Sequence, residues 1–219
     1  MSHPPMVRLI LARHAEAEGT REFRFNGSSD VALTEHGMRQ ALLLADALPS
    51  FGIAAVYTSP LRRALATAEA IATKVRVPVQ VAPDLREQSY GSWERLTAEE
   101  ARLRDPKRFA AWTTRTNIAP PAGESLIMLR RRVVACVAGI AERHPGETVA
   151  VVSHVGPVKV MLCAALGLPL SGVRRIWSDP ASYCVVDWRI ADDGTQRSVV
   201  RAVNVTSHLA EPPRWLALH

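Results

Sequence analysis

LILARHAEAEG, residues 9–19, runs from an apolar segment straight into Arg13-His14. From Val7 to Arg13 the chain is a short, nearly continuous run rich in β-formers. That is the pattern of a strand covered on both faces in a parallel sheet, not the alternation of a strand with one wet face. Similar runs recur at Ile53 to Ser59, Val77 to Val81, Thr148 to Ser153, Tyr183 to Trp188 and Ser198 to Val205. Helical periodicity fills intervals between them. Met38, Ala41, Leu42, Ala45 and Leu48 share one face, as do Leu61, Ala64, Leu65, Ala68 and Ile71. Another helix follows Ser125, aligning Leu129, Val133, Cys136, Val137 and Ile140, and a fourth follows Gly156 with Val158, Met161, Leu162 and Ala165. Strands alternating with helices predict an α/β fold of three layers, α/β/α, around a mostly parallel sheet.

Local chemistry accounts for several boundaries. Thr34 is placed to cap the first helix, and Ser59-Pro60 reads as an N-cap followed by proline at the first helical position, with no catalytic role required. One excursion, from about Gln88 to Glu124, is too long for an ordinary connection. It carries Trp93, Phe109, Trp112 and Pro120-Pro121, with short helical stretches around Thr97 to Leu103 and Pro106 to Thr113, and is expected to form a lid or rim. Residues 1–219 are therefore expected to form one domain with a lid-like excursion at about 88–124, and no internal repeat is evident.

Composition narrows the function classes. At 47% hydrophobic and 22% charged residues, the chain has the make-up of a globular protein. The balance of 27 Lys+Arg against 21 Asp+Glu, a net +6, favours anionic ligands without choosing among nucleic acid, membrane surface and small phosphorylated molecules. The arginines are scattered through predicted helices and accompany no nucleic-acid motif, so nucleic acid is not an expected partner. Cys136, Cys163 and Cys184 lie far apart without zinc-ligand spacing and are expected to be buried free thiols. The opening MSHPPMV lacks a leader pattern, and no segment approaches the roughly 18 apolar residues of a membrane span. A cytoplasmic location without membrane contact is expected. A homodimer is left open, as is whether Glu211 to His219, with two prolines and Trp215, packs on the body or on a partner chain.

Ligands in an open parallel α/β sheet gather at the carboxyl ends of the strands. Arg13-His14 and Ser153-His154 both stand there, each just after an apolar run. A second Arg-His pair, Arg143-His144, does not: it ends an amphipathic helix before Pro145-Gly146, where a cation is favourable for electrostatic reasons alone. A third strand end leads through TSPLRRALATAEA, placing Arg62 and Arg63 in the first turn of a helix. Cations there oppose the helix dipole unless an anion is held nearby. A phosphate between His14 and His154, with Arg13 and Arg63, accounts for all four.

Together these residues resemble the histidine phosphatase, or phosphoglycerate-mutase-like, superfamily. Arg-His after the first strand, SPLxRAxxTA after the second, LREQSYGSWE, PAGES and VVSHVGP appear in order across residues 7 to about 188, and VNVTSHL is similar to the family's ending. The resemblance implies that His14 is a nucleophile forming a phosphohistidine, and that Arg13, Arg63 and His154 bind the transferred phosphoryl group. Arg63 matches because it immediately precedes Ala64, whereas Arg62 falls at a variable position. Glu87, in LREQ, matches the general acid. Arg24, Asn26 and Gly27, in the RFNG stretch, fit substrate contacts. Departures occur at Ala15, where most relatives have Gly, and at Ala17 and Thr20, where Ser or Thr and Asn are common. Arg95 replaces a glycine after Trp93-Glu94, in what is expected to be a solvent-facing turn.

The chemistry is coherent. Phosphoryl transfer needs an in-line nucleophile and stabilisation of equatorial charge, which arginines and a cationic His154 supply without a metal. A neutral His14 attacks once its other ring nitrogen donates to a backbone carbonyl. Glu87 protonates the leaving oxygen, for which it must hold its proton near working pH. The expected activity is metal-independent and cofactor-free hydrolysis of small phosphorylated metabolites, such as sugar phosphates, phosphoglycerates or α-ribazole phosphate. The alternatives are a cofactor-dependent phosphoglycerate mutase and a non-catalytic phosphate-binding module. The compact excursion and VSHVGPVKVML favour the phosphatase. No GxSxG elbow and no HExxH motif occurs.

Overall fold

The structure, a computed structural model, describes residues 6–190 and 195–209. The terminal segment Glu211 to His219 lies outside the described residues. Six strands form one sheet in the order β3-β2-β4-β1-β5-β6, with β1 at Val7–Arg13, β2 at Ile53–Thr58, β3 at Val79–Val81, β4 at Thr148–Ser153, β5 at Tyr183–Ile190 and β6 at Gln196–Val205. Three of the five pairings are parallel, joining β3, β2, β4 and β1; β5 and β6 are added antiparallel beside β1. The helices are α1 (Glu35–Ala47), α2 (Arg62–Val75), α3 (Ala98–Arg104), α4 (Pro106–Thr114), α5 (Leu126–Arg143) and α6 (Val155–Ala165).

The runs of β1, β2 and β4 are nearly all apolar because both faces of the sheet's centre are covered, whereas the edge strands β3 and β6 keep exposed residues. Leu9 and Leu11 of β1 point into a core shared with Leu129, Val133, Val137 and Ile140 of α5 and Met161 and Leu162 of α6. Ile10 and Ala12 point the other way, into a second core with Leu44 and Ala45 of α1 and Ala68 and Ile71 of α2. This is the expected α/β/α layering. Each fully buried large aliphatic side chain contributes roughly 1.5–3 kcal/mol by leaving water.

Two helical details differ from the sequence reading. In α1 the buried face is Gly37, Gln40, Ala41, Leu44 and Ala45, while Met38 and Leu42 are exposed. A close approach sets this phase. A Cβ at residue 37 would collide with the backbone of Glu16, and Gln40 Oε1 accepts a hydrogen bond from Glu16 N at 3.0 Å, so the glycine side of the helix must face the loop. Thr34 does cap α1, accepting from Gly37 N at 3.0 Å. Ser59 does not cap α2: the helix starts at Arg62, its N-cap is Leu61 without a side-chain bond, and the Arg62 amide donates to Asp30 Oδ1 at 2.7 Å. The helix containing Gly156 begins at Val155, directly after His154. Cys163 and Cys184 are buried free thiols as expected, but Cys136 is only half-buried.

Segment 88–124 contains a single 3-10 turn at Gly91–Trp93 followed by α3 and α4. Thr97 and Glu100 form a reciprocal capping box on α3, and Asp105 caps α4 ahead of Pro106. Trp93 is fully buried and meets Phe109 and Trp112, while Trp112 also packs edge-on against Phe25 and Tyr90. Arg95 is half-buried, not solvent-facing, and adopts φ +67°. Its guanidinium donates to Asn26 Oδ1 at 2.7 Å and its backbone amide to Phe25 O at 2.8 Å, bonds that hold an otherwise unfavourable left-handed residue in place.

Candidate active site

Parallel register brings the two histidines together. Arg13 of β1 is aligned with Ser153 of β4, and His14 N donates to Ser153 O, so His14 and His154 leave adjacent strand ends side by side. Their rings meet edge-on with centroids 5.0 Å apart, close to the spacing of neighbouring strands. β2 lies on the other side of β4 and delivers Ser59, while β3, next in order, leads into the 3-10 turn Pro83–Leu85 just before Glu87. Four adjacent parallel strands thus discharge their loops at one edge. Because β5 is antiparallel to β1 and starts opposite Ala12, the segment preceding it, Trp177 to Ser182, arrives at the same edge.

These loops enclose a cleft of about 220 Å³. Its lining includes Arg13, His14, Arg24, Asn26, Gly27, Arg63 and Glu87, so seven of the eight residues singled out from sequence share one cavity. The eighth, His154, is completely buried behind, against the His14 ring.

Each polar group is held from several directions. His14 Nδ1 lies 2.7 Å from Ala15 O, a contact that requires the proton on Nδ1 and leaves Nε2 unprotonated. Arg63 Nε donates to His14 Nε2 at 3.3 Å, and the other ends of the same guanidinium donate to Gly27 O and Ser29 O at 2.7 Å. Those carbonyls belong to a loop tied down by Glu94, whose carboxylate accepts from the amides of Ser28, Ser29 and Tyr90 and from the Ser29 hydroxyl. Arg13 donates to Ser178 O at 2.7 Å. Glu87 Oε1 accepts from the amides of Gln88 and Gly156, at 2.8 and 3.1 Å.

Burial sets the protonation states. The His14 imidazole is held well below its ordinary pKa, first by burial and then by Arg63 and Arg13, so it is neutral. His154 is lowered well below its ordinary value in the same way, with His14 adding to the effect. The cationic His154 expected from sequence is therefore not the state of the unliganded site. Glu87 moves upward because burial outweighs its two amide bonds and the nearby arginines.

Two of the expected substrate contacts have other occupations. Arg24 donates to Arg95 O at 2.8 Å and pairs with Glu100 at 3.0 Å, and Asn26 Nδ2 donates to Glu18 O at 2.7 Å. Gly27 contributes its carbonyl to Arg63, and a Cβ there would strike Glu94 and Tyr90 at φ +44°. At the departures, Thr20 Oγ1 accepts from Ala17 N and Thr67 Oγ1 from Ala15 N, both at 3.1 Å; these side chains satisfy the loop's backbone. His144 stands apart, bonded to Tyr57 and Glu147.

Sequence reasoning missed Ser59. Its hydroxyl lies 2.8 Å from His154 Nε2 and accepts from Leu61 N at 3.3 Å. It also missed Glu94 as the anchor of the Arg63 loop, and Tyr90, Lys159, Trp177 and Ser178 on the cleft wall. Lys159 did leave a trace, as the single charged residue of the apolar helix VGPVKVMLCAA. Among the described residues no group of three or more His, Cys, Asp or Glu converges as a metal site, and no helix is long and apolar enough to cross a membrane.

Known proteins resemble this chain in sequence and in fold. The sequence model of the histidine phosphatase superfamily (branch 1) matches residues 9–202. Phosphoserine phosphatase 1 of Hydrogenobacter thermophilus is 36% identical over 207 residues, covering 94% of this chain and 96% of the relative. Among solved structures, Bacillus stearothermophilus YhfR superposes with a TM-score of 0.83 at 33% identity, over 92% of this chain and 98% of the other. A mycobacterial glucosyl-3-phosphoglycerate phosphatase superposes with a TM-score of 0.83 at 26% identity, over 91% and 99%.

Proposed function

Because the chain belongs to the histidine phosphatase superfamily (branch 1), we propose that it is a phosphomonoesterase acting on small phosphorylated metabolites through a phosphohistidine at His14. One observation carries this reading. The Ala15 carbonyl fixes the proton on His14 Nδ1, while Nε2 stands beside Arg63 in a cleft that also holds Glu87. The phosphatase names of the relatives support it.

In the proposed reaction, His14 Nε2 attacks phosphorus as the bond to the ester oxygen breaks. Arg13 and Arg63 hold the equatorial oxygens, positioned before substrate arrives, which is where phosphoryl transfer gains most from a protein. Glu87 gives its proton to the departing alkoxide. It then takes a proton from water as the water oxygen bonds to phosphorus, the N–P bond breaks and His14 returns neutral. The raised pKa of Glu87 keeps the acid form available.

His154 assists from behind. If the Leu61 amide donates to Ser59 and the Ser59 hydroxyl donates to His154 Nε2, the remaining proton sits on Nδ1, a buried atom without a hydrogen-bond partner among the described residues. A bound oxyanion supplies the missing acceptor.

The test is incubation with a ³²P-labelled ester, quenched in acid and in alkali. A protein adduct stable to base, labile to acid and absent from His14→Ala is expected, with free phosphate released in the absence of any bisphosphorylated primer. Undiminished turnover by His14→Ala overturns the reading, and primer-dependent isomerisation without phosphate release makes the protein a mutase instead.

A further inference from the structure

α5 carries three consecutive arginines, Arg130, Arg131 and Arg132. The first two are exposed, whereas Arg132 keeps only 18% of its side chain accessible. All five of its N–H donors are used. Nε and one Nη2 hydrogen go to the two carboxylate oxygens of Glu124, each at 2.8 Å. The other three go to main-chain carbonyls: Nη1 donates to Asp84 O at 2.6 Å and to Arg86 O at 2.8 Å, and Nη2 to Glu87 O at 2.8 Å. The hydroxyl of Ser153, at the end of β4, donates to the carbonyl between them, Leu85 O, at 2.6 Å. Four successive carbonyls, from Asp84 through Glu87, are thus held by side chains from outside the turn.

The last of the arginine's bonds reaches the backbone of the proposed acid itself. The Glu87 carbonyl and the Gln88 amide belong to one planar peptide group, and in a trans peptide they point to opposite sides. Arg132 donates to the carbonyl, and the amide donates to Glu87 Oε1 at 2.8 Å. Rotation of that peptide plane breaks both bonds together. Gln88 is anchored at its side chain as well, Nε2 donating to Glu124 O at 2.6 Å. Glu124 meanwhile balances the charge of Arg132, so the turn is gripped without an uncompensated cation beside an acid that has to keep its proton.

We propose that Arg132, which lies outside the cleft lining, is a positioning residue for the reaction: by fixing the Glu87–Gln88 peptide it sets where the Glu87 carboxyl stands in the cleft. A displacement of about 1 Å at a reacting group can cost about 100-fold in rate. This inference rests on the reading of Glu87 as the leaving-group acid and adds the group that keeps it in place.

The experiment measures kcat/KM for glycerol 1-phosphate, whose alkoxide needs a proton to leave, and for p-nitrophenyl phosphate, whose phenolate leaves readily without one. The proteins are wild type, Arg132→Gln, Glu124→Gln, Glu87→Gln and the double variant Glu87→Gln/Arg132→Gln. Arg132→Gln should lose about 10- to 100-fold on glycerol 1-phosphate and less than about threefold on p-nitrophenyl phosphate, a share of the roughly 10²- to 10⁴-fold that general acid–base catalysis supplies. In the Glu87→Gln background the same substitution should change glycerol 1-phosphate hydrolysis by no more than about twofold, because no acid is left to position. Glu124→Gln keeps the arginine but weakens the two-point pairing that orients it. It should show the same split between esters on a smaller scale, and it decides the matter if Arg132→Gln does not fold. Equal losses on the two esters, no loss on either, or a further loss in the Glu87→Gln background overturn the inference and leave the phosphatase reading standing. Equal losses in Glu87→Gln alone remove the acid role and the inference with it. Wild type that releases phosphate from neither ester overturns the phosphatase reading itself.

Discussion

Arg63 Nε stands 3.3 Å from His14 Nε2 while the rest of its guanidinium is spent on the carbonyls of Gly27 and Ser29. The cation is thereby fixed against the proposed nucleophile before any ligand enters, and it is completely buried. Desolvation lowers its pKa, and Glu87, Asp30 and Glu94 act in the opposite direction. A planar fork can satisfy three acceptors at once; an ammonium on a flexible stem cannot hold that geometry.

Arg63→Lys should therefore lose about 100-fold or more in kcat, the usual cost of removing a preorganised donor to developing charge. The variant should also melt earlier, since the buried Gly27 carbonyl and the half-buried Ser29 carbonyl lose their charged donor. Steady-state kinetics and a thermal melt check both parts.

Glu87→Gln separates acid catalysis from binding. An alkyl phosphate should lose about 100-fold or more, whereas p-nitrophenyl phosphate, with its good leaving group, should lose much less. Because burial raises the Glu87 pKa, wild-type activity limited by this acid should fall as pH rises through the raised value, and the fall should vanish in the variant. Stability follows the same sign. The folded state retains the proton longer than the unfolded chain, so the contribution of Glu87 is complete below the ordinary carboxylate pKa and is lost as pH rises through the folded value. The difference in melting temperature between variant and wild type should grow in the variant's favour across that window.

The histidines have the opposite dependence. Both are held below their ordinary pKa of 6.5, so their contribution is present above 6.5 and is lost as pH falls toward the folded values. Acid destabilisation below pH 6.5 should be weaker in His154→Gln than in wild type. Inorganic phosphate at about 100 times its dissociation constant should restore about 2.7 kcal/mol in wild type.

Gly156→Ala tests the placement of Glu87. Alanine is the better helix former by about 1 kcal/mol, yet a Cβ at residue 156 would strike the Glu87 carboxyl and approach Leu129 Cδ2 at 3.0 Å. Turnover should fall by at least about tenfold, one pKa-unit equivalent of barrier, with little loss in melting temperature. Unchanged turnover would mean that the Glu87 position is not critical.

Ser59→Ala removes the partner of His154 Nε2 and leaves that buried nitrogen unpaired, a cost of about 1–3 kcal/mol. The melting temperature should fall accordingly, and kcat should fall with it. Ser59→Thr, which keeps the hydroxyl, should recover most of the activity.

How much of this was legible beforehand varied with the range of the interaction. The central strands β1, β2 and β4 were visible as apolar runs because a sheet covered on both faces demands apolar residues at consecutive positions. His14, Arg63, Glu87 and His154 were visible because they sit in ordered motifs at strand ends. The phase of α1 was not, because Met38 and Leu42 satisfy helical periodicity as well as Leu44 does; Gly37 against the Glu16 backbone decides between them. Arg95 looked like a surface residue until its bond to Asn26 gave it a half-buried place.

By itself, the order of residues along the chain determined the alternation of strands and helices, the residue types at the strand ends, and the family to which they belong. Those properties are local, set by periodicity, propensity and motif. Tertiary structure alone decided that β4 inserts between β1 and β2, that Ser59 serves His154 instead of α2, and that Lys159 enters the cleft. These outcomes depend on contacts between segments dozens of residues apart, whose free energies appear only once the sheet has fixed which strand ends are neighbours.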